Sequence, residues 1–489
     1  MSPSESSGKV LRNSTYLTAA YIAQKVLSFG YFVFYSRTLS PEHTGIYVFA
    51  ISFVTIFSIG IDLGLNPVLI REVARAKEKT QSYLSTILAI KIFLAVLAYA
   101  GIWVTALILG YDILTQEVLW LAGISMVIES FSVTLYGIFR GYQNFRYEAT
   151  GTIIHQVFVL GFGIVGLVIN PSPIILGIAV MLGALANFSY ALWHMVRTLK
   201  FKVTPRIDLS VIKQFAKWAT PFFLAGIFTK LYAYVDIVLL KQMTDDAHVG
   251  WYSVAYKLTY AIQFLPLAIS NSVFPAFSEL YLSSQDKLRR LLEQSYFFML
   301  SIGTPIAAGV FVLAGPLITN PNLWPTYAQS ISALQVSILS LPFIFINLIA
   351  GTLLGACNKQ KIHTINIMIT TIVNIVANVI LIPQWQHVGA SAAALLSALV
   401  LFVLSTIWSW KVAKYRIVWL LGRWARSLIA SAIMVGILLA LGSSLSVFAL
   451  LPIAAIIYAI AFFLVGGITR TDIQTLYGII RRRNGATAE

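Results

Sequence analysis

The most informative property of this 489-residue sequence is how little charge it carries. Asp, Glu, Lys and Arg make up 11% of the residues, against about 25% in an ordinary soluble domain. A soluble protein of this length cannot cover its surface with so few charged side chains. Hydrophobic residues reach 58%, and the mean hydropathy is +0.82. The composition therefore excludes a soluble chain and predicts a membrane protein.

Other absences narrow the class further. Cys357 is the single cysteine, which excludes an internal disulfide and a cysteine-ligated zinc or iron–sulfur cluster. The apolar segments are continuous rather than alternating, so they predict transmembrane helices and not a transmembrane β-barrel. The sequence contains no P-loop, HExxH, GxSxG or DxD-type motif, and no predicted external loop is long enough to form a catalytic domain. We expect no enzymatic activity, no cofactor and no bound metal.

Long apolar runs recur along the whole chain, and each could cross the hydrocarbon core of a bilayer as a helix. We expect an all-α polytopic membrane protein with about fourteen transmembrane helices, whose ends are predicted to within a few residues. The predicted spans cover residues 13–36, 45–70, 82–109, 118–139, 149–169, 174–196, 218–240, 249–278, 294–313, 327–356, 362–382, 388–410, 418–441 and 446–469.

The distribution of positive charge predicts how these helices are oriented. Of the 34 Lys and Arg residues, 28 fall at the termini or in even-numbered loops, whereas the odd-numbered loops hold only Arg37 and Lys241. Because cytoplasmic loops are enriched in Lys and Arg, both termini are predicted to be cytoplasmic. The net charge of +16 is then an orientation signal, and no nucleic-acid partner is expected. We expect a multi-pass protein of the cell membrane whose first apolar segment is retained rather than cleaved as a signal peptide.

The two halves of the chain resemble each other. Residues 137–144 match residues 351–358 at an offset of 214, through glycines spaced four apart, and Gly45-Ile-Tyr47 matches Gly250-Trp-Tyr252 at an offset of 205. Six spans separate the matched segments, so the repeats are parallel and related by a pseudo-two-fold axis along the membrane normal. The repeated GxxxG pattern favours close helix packing over a binding site.

This repeat predicts a chain of three parts. Residues 1–208 form an N-lobe of six helices, and residues 209–416 form a C-lobe of six helices. Residues 417–489 form two further helices and a basic cytoplasmic tail. The basic connection at about residues 197–217 is expected to bind the headgroups of anionic membrane lipids.

Polar side chains follow one face of predicted helices one, two, seven and eight, which the repeat relates in pairs. They recur every three or four residues, as expected for one side of a helix. A polar face inside hydrocarbon either packs on another polar face or lines water, so four such faces predict an aqueous cavity between the lobes. The four stripes contain Tyr21, Gln24, Lys25, Ser28, Tyr31 and Tyr35; Ser52, Thr55, Ser58, Asp62 and Asn66; Thr229, Lys230, Tyr234 and Asp236; and Tyr252, Tyr256, Lys257, Thr259, Tyr260 and Gln263.

The residue types of these faces predict the cargo. Aromatic rings stack on sugar rings, while hydroxyl and amide groups bond the sugar oxygens. Lysines in a partly desolvated cavity favour an anion, because opposite charges about 4 Å apart interact by about 4 kcal/mol at an effective dielectric constant near 20. The candidate substrate-binding residues are Lys25, Lys230, Lys257, Gln24, Tyr21, Tyr252 and Tyr256.

The charged residues inside the predicted spans also have a structural interpretation. Lys25 could pair with Asp62, and Lys230 with Asp236, so that each pair holds neighbouring helices together. Asp62 and Asp236 are also candidates for binding a coupling cation, either Na⁺ or H⁺. The sequence leaves these alternatives open.

Three further polar residues in spans are expected to be structural. Lys91 and Glu129, on helices three and four, are expected to form a pair or to extend toward the membrane surface. His155, in span five, is expected to form a hydrogen bond between helices rather than to carry protons.

Motifs in both halves resemble one family. The first half contributes Leu39-Ser-Pro41-Glu42, Gly45-Ile-Tyr47, Asp62-Leu-Gly-Leu65, Arg71-Glu72 and Ala74-Arg75, and the second contributes Val235-Asp236-Ile-Val, Val249-Gly250-Trp-Tyr252, Phe274-Pro275 and Ser278-Glu279. Over nearly its whole length the chain resembles the polysaccharide transporter family. That family contains the Wzx-type oligosaccharide flippases of the multidrug/oligosaccharidyl-lipid/polysaccharide exporter superfamily.

The resemblance implies fourteen helices in two lobes around a central cavity. It implies alternating access that moves an undecaprenyl-diphosphate-linked oligosaccharide from the cytoplasmic to the outer leaflet. It places the cavity cations at Lys25, Lys230 and Lys257, whereas related peptidoglycan-precursor flippases carry a more arginine-rich cavity. A polysaccharide polymerase or ligase is an expected partner. The alternatives are a Na⁺- or H⁺-coupled multidrug antiporter of the same superfamily and a membrane scaffold without transport activity.

Overall fold

The computed structural model describes residues 3–441 and 445–467, without the side chains of residues 3–16, 18, 19 and 265. Within these ranges the chain forms sixteen α-helices, one short 3-10 helix (Lys77–Lys79) and no strand, which confirms the all-helical prediction. The α-helices are α1 (Pro3–Thr38), α2 (Pro41–Asp62), α3 (Leu65–Arg75), α4 (Thr80–Ile108), α5 (Ile113–Gly141), α6 (Arg146–Ile169), α7 (Pro173–Arg197), α8 (Leu209–Met243), α9 (Asp246–Ala261), α10 (Phe264–Ser283), α11 (Gln285–Ile318), α12 (Ser330–Ile338), α13 (Leu341–Ala356), α14 (Gln360–Ala413), α15 (Ile417–Leu441) and α16 (Val447–Leu464).

Most of these helices have the length and composition of membrane spans. Ten helices in the described part of the chain are long and apolar enough to cross a membrane, or up to twelve when each of two bent pairs counts as one span. The bent pairs are α9 with α10, at 41°, and α12 with α13, at 43°. The polytopic membrane fold is therefore confirmed, with ten to twelve spans, and the number fourteen stays a prediction.

The predicted span 45–70 is divided into two helices. The hydroxyl of Ser40 accepts a hydrogen bond from the backbone N–H of His43 at 3.2 Å and starts α2. Leu63 and Gly64 have φ values of 44° and 74° and end that helix, and α3 follows at once. A Cβ atom on Gly64 would lie 2.6 Å from the carbonyl oxygen of Ala219 in α8. Glycine is thus required here both by the backbone conformation and by the neighbouring helix.

The chain divides into two compact units, the first of which contains residues 1–257, 322–327 and 367–393. Helix α8, assigned from sequence to the second lobe, packs in this unit against α2 and α3. Phe215 of α8 is fully buried in the same apolar cluster as Leu69, Leu84 and Phe139. The three-part division at residues 208 and 416 stays a prediction.

Two repeat-related glycines of the first unit contact each other's helix. A Cβ atom on Gly45 would overlap the carbonyl oxygen of Asp246, and a Cβ atom on Gly250 would overlap the carbonyl oxygen of Pro41. Pro41 and Asp246 are separated by the same 205 residues as the two glycines. The contact is therefore reciprocal, as at a two-fold interface, and it joins the first turns of α2 and α9.

The GxxxG pattern of α5 packs as predicted. A Cβ atom on Gly137 would lie 2.6 Å from the Oδ1 atom of Asn66, and one on Gly141 would lie 2.6 Å from a side-chain carbon of Val73. Both neighbours belong to α3. Glycine therefore lets α3 and α5 approach closely.

The second unit contains residues 258–321, 328–366 and the described residues after 393. Helix α11 packs against α12, α13, α15 and α16. Near the start of α11, the side chain of Arg416 donates to the Oε2 atom of Glu293 at 2.7 Å, and the backbone N–H of Arg416 donates to Oε1 at 2.8 Å. This bidentate pair fixes the connection between α14 and α15 to α11.

Candidate functional site

The first unit contains two adjoining cavities with polar walls. We call the larger, of about 400 Å³, the charged cavity, and the smaller, of about 250 Å³, the tyrosine chamber. They share Ile51, His155 and Val180. The polar residues of the charged cavity are Thr55, Ser58, Asp62, Asn66, Lys91, Ser125, Glu129, Ser130, His155 and Lys230, and those of the tyrosine chamber are Gln24, Ser28, Tyr31, Tyr35, Tyr47, Ser52, His155, Gln156, Tyr234, Tyr256 and Lys257.

The predicted polar stripes supply most of these walls. All four stripes reach the tyrosine chamber, through Gln24, Ser52, Tyr234 and Tyr256 among others. The later part of the stripe that begins in α2, from Thr55 to Asn66, lines the charged cavity instead. Helical periodicity therefore identified the cavity-facing side of α1 and of α2, whereas Asp236 of α8 and Tyr252 of α9 line neither cavity.

An ion pair forms one wall of the charged cavity. The ammonium group of Lys91 donates to the Oδ1 atom of Asp62 at 3.0 Å and to the carbonyl and hydroxyl oxygens of Ser130, both at 3.2 Å. Lys91 is 1% exposed at its side chain, whereas Asp62 is 32% exposed. The predicted pairs of Lys25 with Asp62 and of Lys91 with Glu129 are wrong, because Asp62 and Lys91 bind each other.

The other charged groups of this cavity have neutral partners. Lys230 donates a hydrogen bond to the hydroxyl of Ser58, so its predicted pair with Asp236 is also wrong. Glu129 accepts a hydrogen bond from the amide of Asn187 at 3.1 Å, and Asn187 accepts one from the hydroxyl of Tyr136 at 2.7 Å. Two lysines and two carboxylates thus line the charged cavity, which is formally neutral.

Aromatic rings in edge-to-face contact give the tyrosine chamber its shape. Tyr35 packs edge-to-face against Tyr31, with ring centres 5.3 Å apart, and against Tyr47 at 5.4 Å. Lys257 lies with its ammonium nitrogen 6.0 Å from the centre of the Phe32 ring. The chamber can therefore offer ring faces, hydroxyls, amides and one cation to a ligand.

The remaining predicted site residues lie elsewhere. Tyr252 and Asp236 are buried together, with the Tyr252 hydroxyl donating to the Oδ2 atom of Asp236 at 3.0 Å. Tyr21 donates to the Oε1 atom of Glu148 at 2.6 Å. Lys25 is exposed and lines neither cavity. The structure therefore places Gln24, Tyr256 and Lys257 in the chamber and Lys230 and Asp62 in the charged cavity. The other predicted site residues line neither cavity: Tyr21, Lys25, Asp236 and Tyr252.

The sequence gives a weak or misleading signal for several residues of these sites. The positions of Lys91 and Glu129 inside spans predict a structural pair or groups that extend toward the membrane surface, but both residues line the charged cavity. Asn378 was overlooked, although it donates to the Oδ1 atom of Asp236 at 2.7 Å. Its signal is the four-residue spacing from Asn374, which puts two amides on one face of an apolar helix.

The sequence of this chain matches the profiles of two known protein families. The sequence profile described as polysaccharide biosynthesis protein matches residues 10–281, which is more than half of the chain. A second profile, MatE, matches residues 221–380.

Two relatives from Haloferax volcanii are similar to this chain. The protein named probable flippase AglR is 28% identical over 189 residues, which are 37% of this chain and only 38% of that protein. The protein named probable low-salt glycan biosynthesis flippase Agl15 is 21% identical over 402 residues, which are 79% of this chain and 80% of that protein.

The fold is also similar to a solved structure titled lipid II flippase MurJ, inward closed conformation. The TM-score is 0.73 at 18% sequence identity, and the alignment covers 94% of this chain and 99% of that one. At this identity the likeness concerns the fold alone.

Proposed function

We propose that this chain, which belongs to the polysaccharide biosynthesis protein family, moves a lipid-linked oligosaccharide across the membrane. The observation that carries the proposal is the pair of adjoining polar cavities inside a unit built largely of membrane-spanning helices. Polar and charged groups are costly at membrane depth and are kept where they line a pathway. Both Haloferax relatives are named as probable flippases, which supports the same activity.

The chemistry of the cavities suits a glycan attached to a lipid. Tyrosine rings can stack on sugar faces, and Gln24 and Gln156 can bond hydroxyl groups of the sugar. The lipid part stays in the bilayer while the polar headgroup crosses through protein. Alternating access would carry an undecaprenyl-diphosphate-linked oligosaccharide from the cytoplasmic to the outer leaflet, for surface polysaccharide biosynthesis.

The proposed topology has fourteen spans and two cytoplasmic termini. Ten helices and two bent pairs account for twelve spans. The 54-residue α14 supplies one more, because Gln386, at a φ of 50°, divides it into two parts that each cross the membrane. The apolar part of α1 supplies the fourteenth, and the Lys and Arg distribution sets the orientation.

Lys230 provides the direct test of this function. Lys230→Ala is expected to slow glycan flipping at least about tenfold, because one hydrogen bond to a charged group contributes roughly 1.5–3 kcal/mol. Proteoliposomes carrying the purified protein and a lipid-linked oligosaccharide would report the rate at which the glycan becomes accessible to an impermeant oxidant. Lys230→Arg should retain most of the rate, and Lys287→Gln, which removes an exposed lysine of α11, should retain all of it. A wild-type protein that does not accelerate flipping contradicts the proposal.

Asp236 is the proposed site of a coupling cation. It is 6% exposed and is contacted by the hydroxyl of Tyr252 and the amide of Asn378, both neutral. A buried carboxylate without a basic partner can take up Na⁺ or a proton. Asp236→Asn is expected to abolish the acceleration of flipping by an imposed Na⁺ or pH gradient, whereas the exposed Asp245→Asn should leave it intact. A gradient response that survives Asp236→Asn excludes this site.

The match to the MatE profile favours a second candidate, a Na⁺- or H⁺-coupled multidrug antiporter. Cells lacking the gene separate the two functions. Loss of surface polysaccharide with unchanged drug resistance supports the flippase. Sensitivity to cationic drugs with normal surface polysaccharide supports the antiporter.

A further inference from the structure

The two cavities differ in their balance of charge. The charged cavity holds two lysines and two carboxylates, of which Lys91 and Asp62 are in direct contact. The tyrosine chamber is lined by Lys257 and by no Asp or Glu among the residues that the structure describes. A single ammonium group therefore faces an otherwise neutral, aromatic chamber.

The surroundings of Lys257 compensate its charge only in part. The ring of Phe32 lies 6.0 Å from the ammonium nitrogen, which is at the far limit of a cation–π contact. Lys257 forms no ion pair with any described acidic residue. Taking an ammonium group out of water is costly unless an opposite charge or hydrogen-bond acceptors replace the water. An anion in the chamber would supply that opposite charge.

A second polar group of the chamber lacks a partner. Tyr31 is 5% exposed, and its hydroxyl has no hydrogen-bond partner among the described residues. The hydroxyl lies against Gly163 of α6, where a Cβ atom would overlap it. The hydroxyl is sealed against α6, so Tyr31 shapes the wall of the chamber through its ring and leaves Lys257 as the group that calls for a ligand.

The size and lining of the chamber define what that ligand is. Its volume of about 250 Å³ equals roughly eight water molecules at ~30 Å³ each, which suits one sugar ring rather than a whole oligosaccharide. A diphosphate carries more than one negative charge and is normally held by several cations. The chamber has one lysine surrounded by tyrosines and amides, so its composition favours a singly charged sugar.

We infer that the tyrosine chamber selects one acidic sugar residue of the transported glycan, whose carboxylate contacts Lys257. The inference rests on the proposed function and narrows its substrate class to lipid-linked oligosaccharides with a uronic acid or a similarly carboxylated sugar. Tyr31 contributes ring surface to the same site, and Gln24 and Gln156 contribute amides. The charged cavity, which is neutral overall, does not determine this preference.

Monosaccharide binding tests the assignment without transport. The probes are glucuronic acid, glucose, glucosamine and geranyl diphosphate, titrated onto the full-length protein in detergent and followed by saturation-transfer NMR. Glucuronic acid is expected to bind at least about tenfold more tightly than glucose, the effect of one hydrogen bond to a charged group. Equal affinities for the two sugars would overturn the inference.

Variants at the lysine identify the group responsible. Lys257→Gln is expected to reduce the preference for glucuronic acid over glucose to about one, and Lys257→Glu to favour glucosamine instead. Lys287→Gln, which removes an exposed lysine from α11, is the matched control and should keep the wild-type preference. A preference that survives Lys257→Gln overturns the assignment. So does binding of geranyl diphosphate that depends on Lys257 when glucuronic acid binding does not.

A milder variant keeps the test valid if the lysine variants fold poorly. Gln24→Leu removes one amide from the chamber wall, and it is expected to weaken the binding of glucuronic acid and of glucose alike by about threefold to tenfold. Unchanged affinities would overturn the role of Gln24. A protein that flips neutral and acidic lipid-linked glycans equally well refutes this inference alone, whereas one that binds glucuronic acid but flips no glycan refutes the proposed function.

Discussion

Gly45→Val is expected to destabilise the protein by about 3 kcal/mol or more, the upper end of the usual cost of overpacking, and to abolish transport. A Cβ atom at this position overlaps the backbone carbonyl of Asp246. A backbone atom cannot rotate away as the end of a flexible side chain can, so the first turns of α2 and α9 must separate. Thermal stability of the purified protein and glycan flipping by proteoliposomes measure the two effects.

Two further glycine variants make this test specific. Gly250→Val should be as harmful as Gly45→Val, since the contact is reciprocal and the carbonyl of Pro41 occupies the equivalent place. Gly60→Val lies in the same helix as Gly45 with no neighbouring atom within 4 Å of the added Cβ. It should change stability by no more than about 0.5 kcal/mol. Clear damage from only one of the two contacting glycines would contradict a reciprocal packing.

The second large effect is expected at Lys91. Lys91→Met should destabilise the protein by about 3 kcal/mol, the lower end of the range for breaking a buried ion pair. The loss arises because Asp62 keeps its charge without its partner. The lower end applies since the Asp62 side chain is 32% exposed and water in the cavity can replace part of the lost contact. Thermal or denaturant unfolding in detergent measures the change.

A double variant and an exposed pair serve as controls. Lys91→Met combined with Asp62→Asn removes both charges and should recover more than half of the lost stability. Arg289 pairs at 3.1 Å with Asp286, whose side chain is 75% exposed, so Asp286 stays hydrated without its partner and Arg289→Met should cost no more than about 1 kcal/mol. If the double variant is no more stable than Lys91→Met, an isolated charge on Asp62 is not the cause.

Local sequence patterns predicted the walls of the site better than its contacts. The spacing of Gln24, Ser28, Tyr31 and Tyr35 placed these four residues on one side of α1, and all four line the tyrosine chamber. Lys25 was grouped with them because it is four residues from Tyr21. Successive residues of a helix point about 100° apart, however, and the side that carries Gln24 into the chamber leaves Lys25 exposed.

The sequence did not predict which charged residues on different helices form ion pairs. The candidates for an ion pair were recognised by their position inside spans, but Asp62 lies 29 residues from Lys91, and periodicity carries no information on which helices become neighbours. The end of α2 was missed for a related reason. Gly64 favours a left-handed backbone, but Leu63 does not, and its φ of 44° is imposed by packing rather than by its own preference.

The interruption after Asp62 affects how the first unit can deform. Gly64 lies against residues 219–223 of α8, and Pro221 within that stretch has no backbone N–H to donate to the preceding turn. Two neighbouring helices are thus weakened at the same level. We expect bending at this level to break fewer backbone hydrogen bonds than bending elsewhere in either helix, because part of the hydrogen-bond ladder is already missing here.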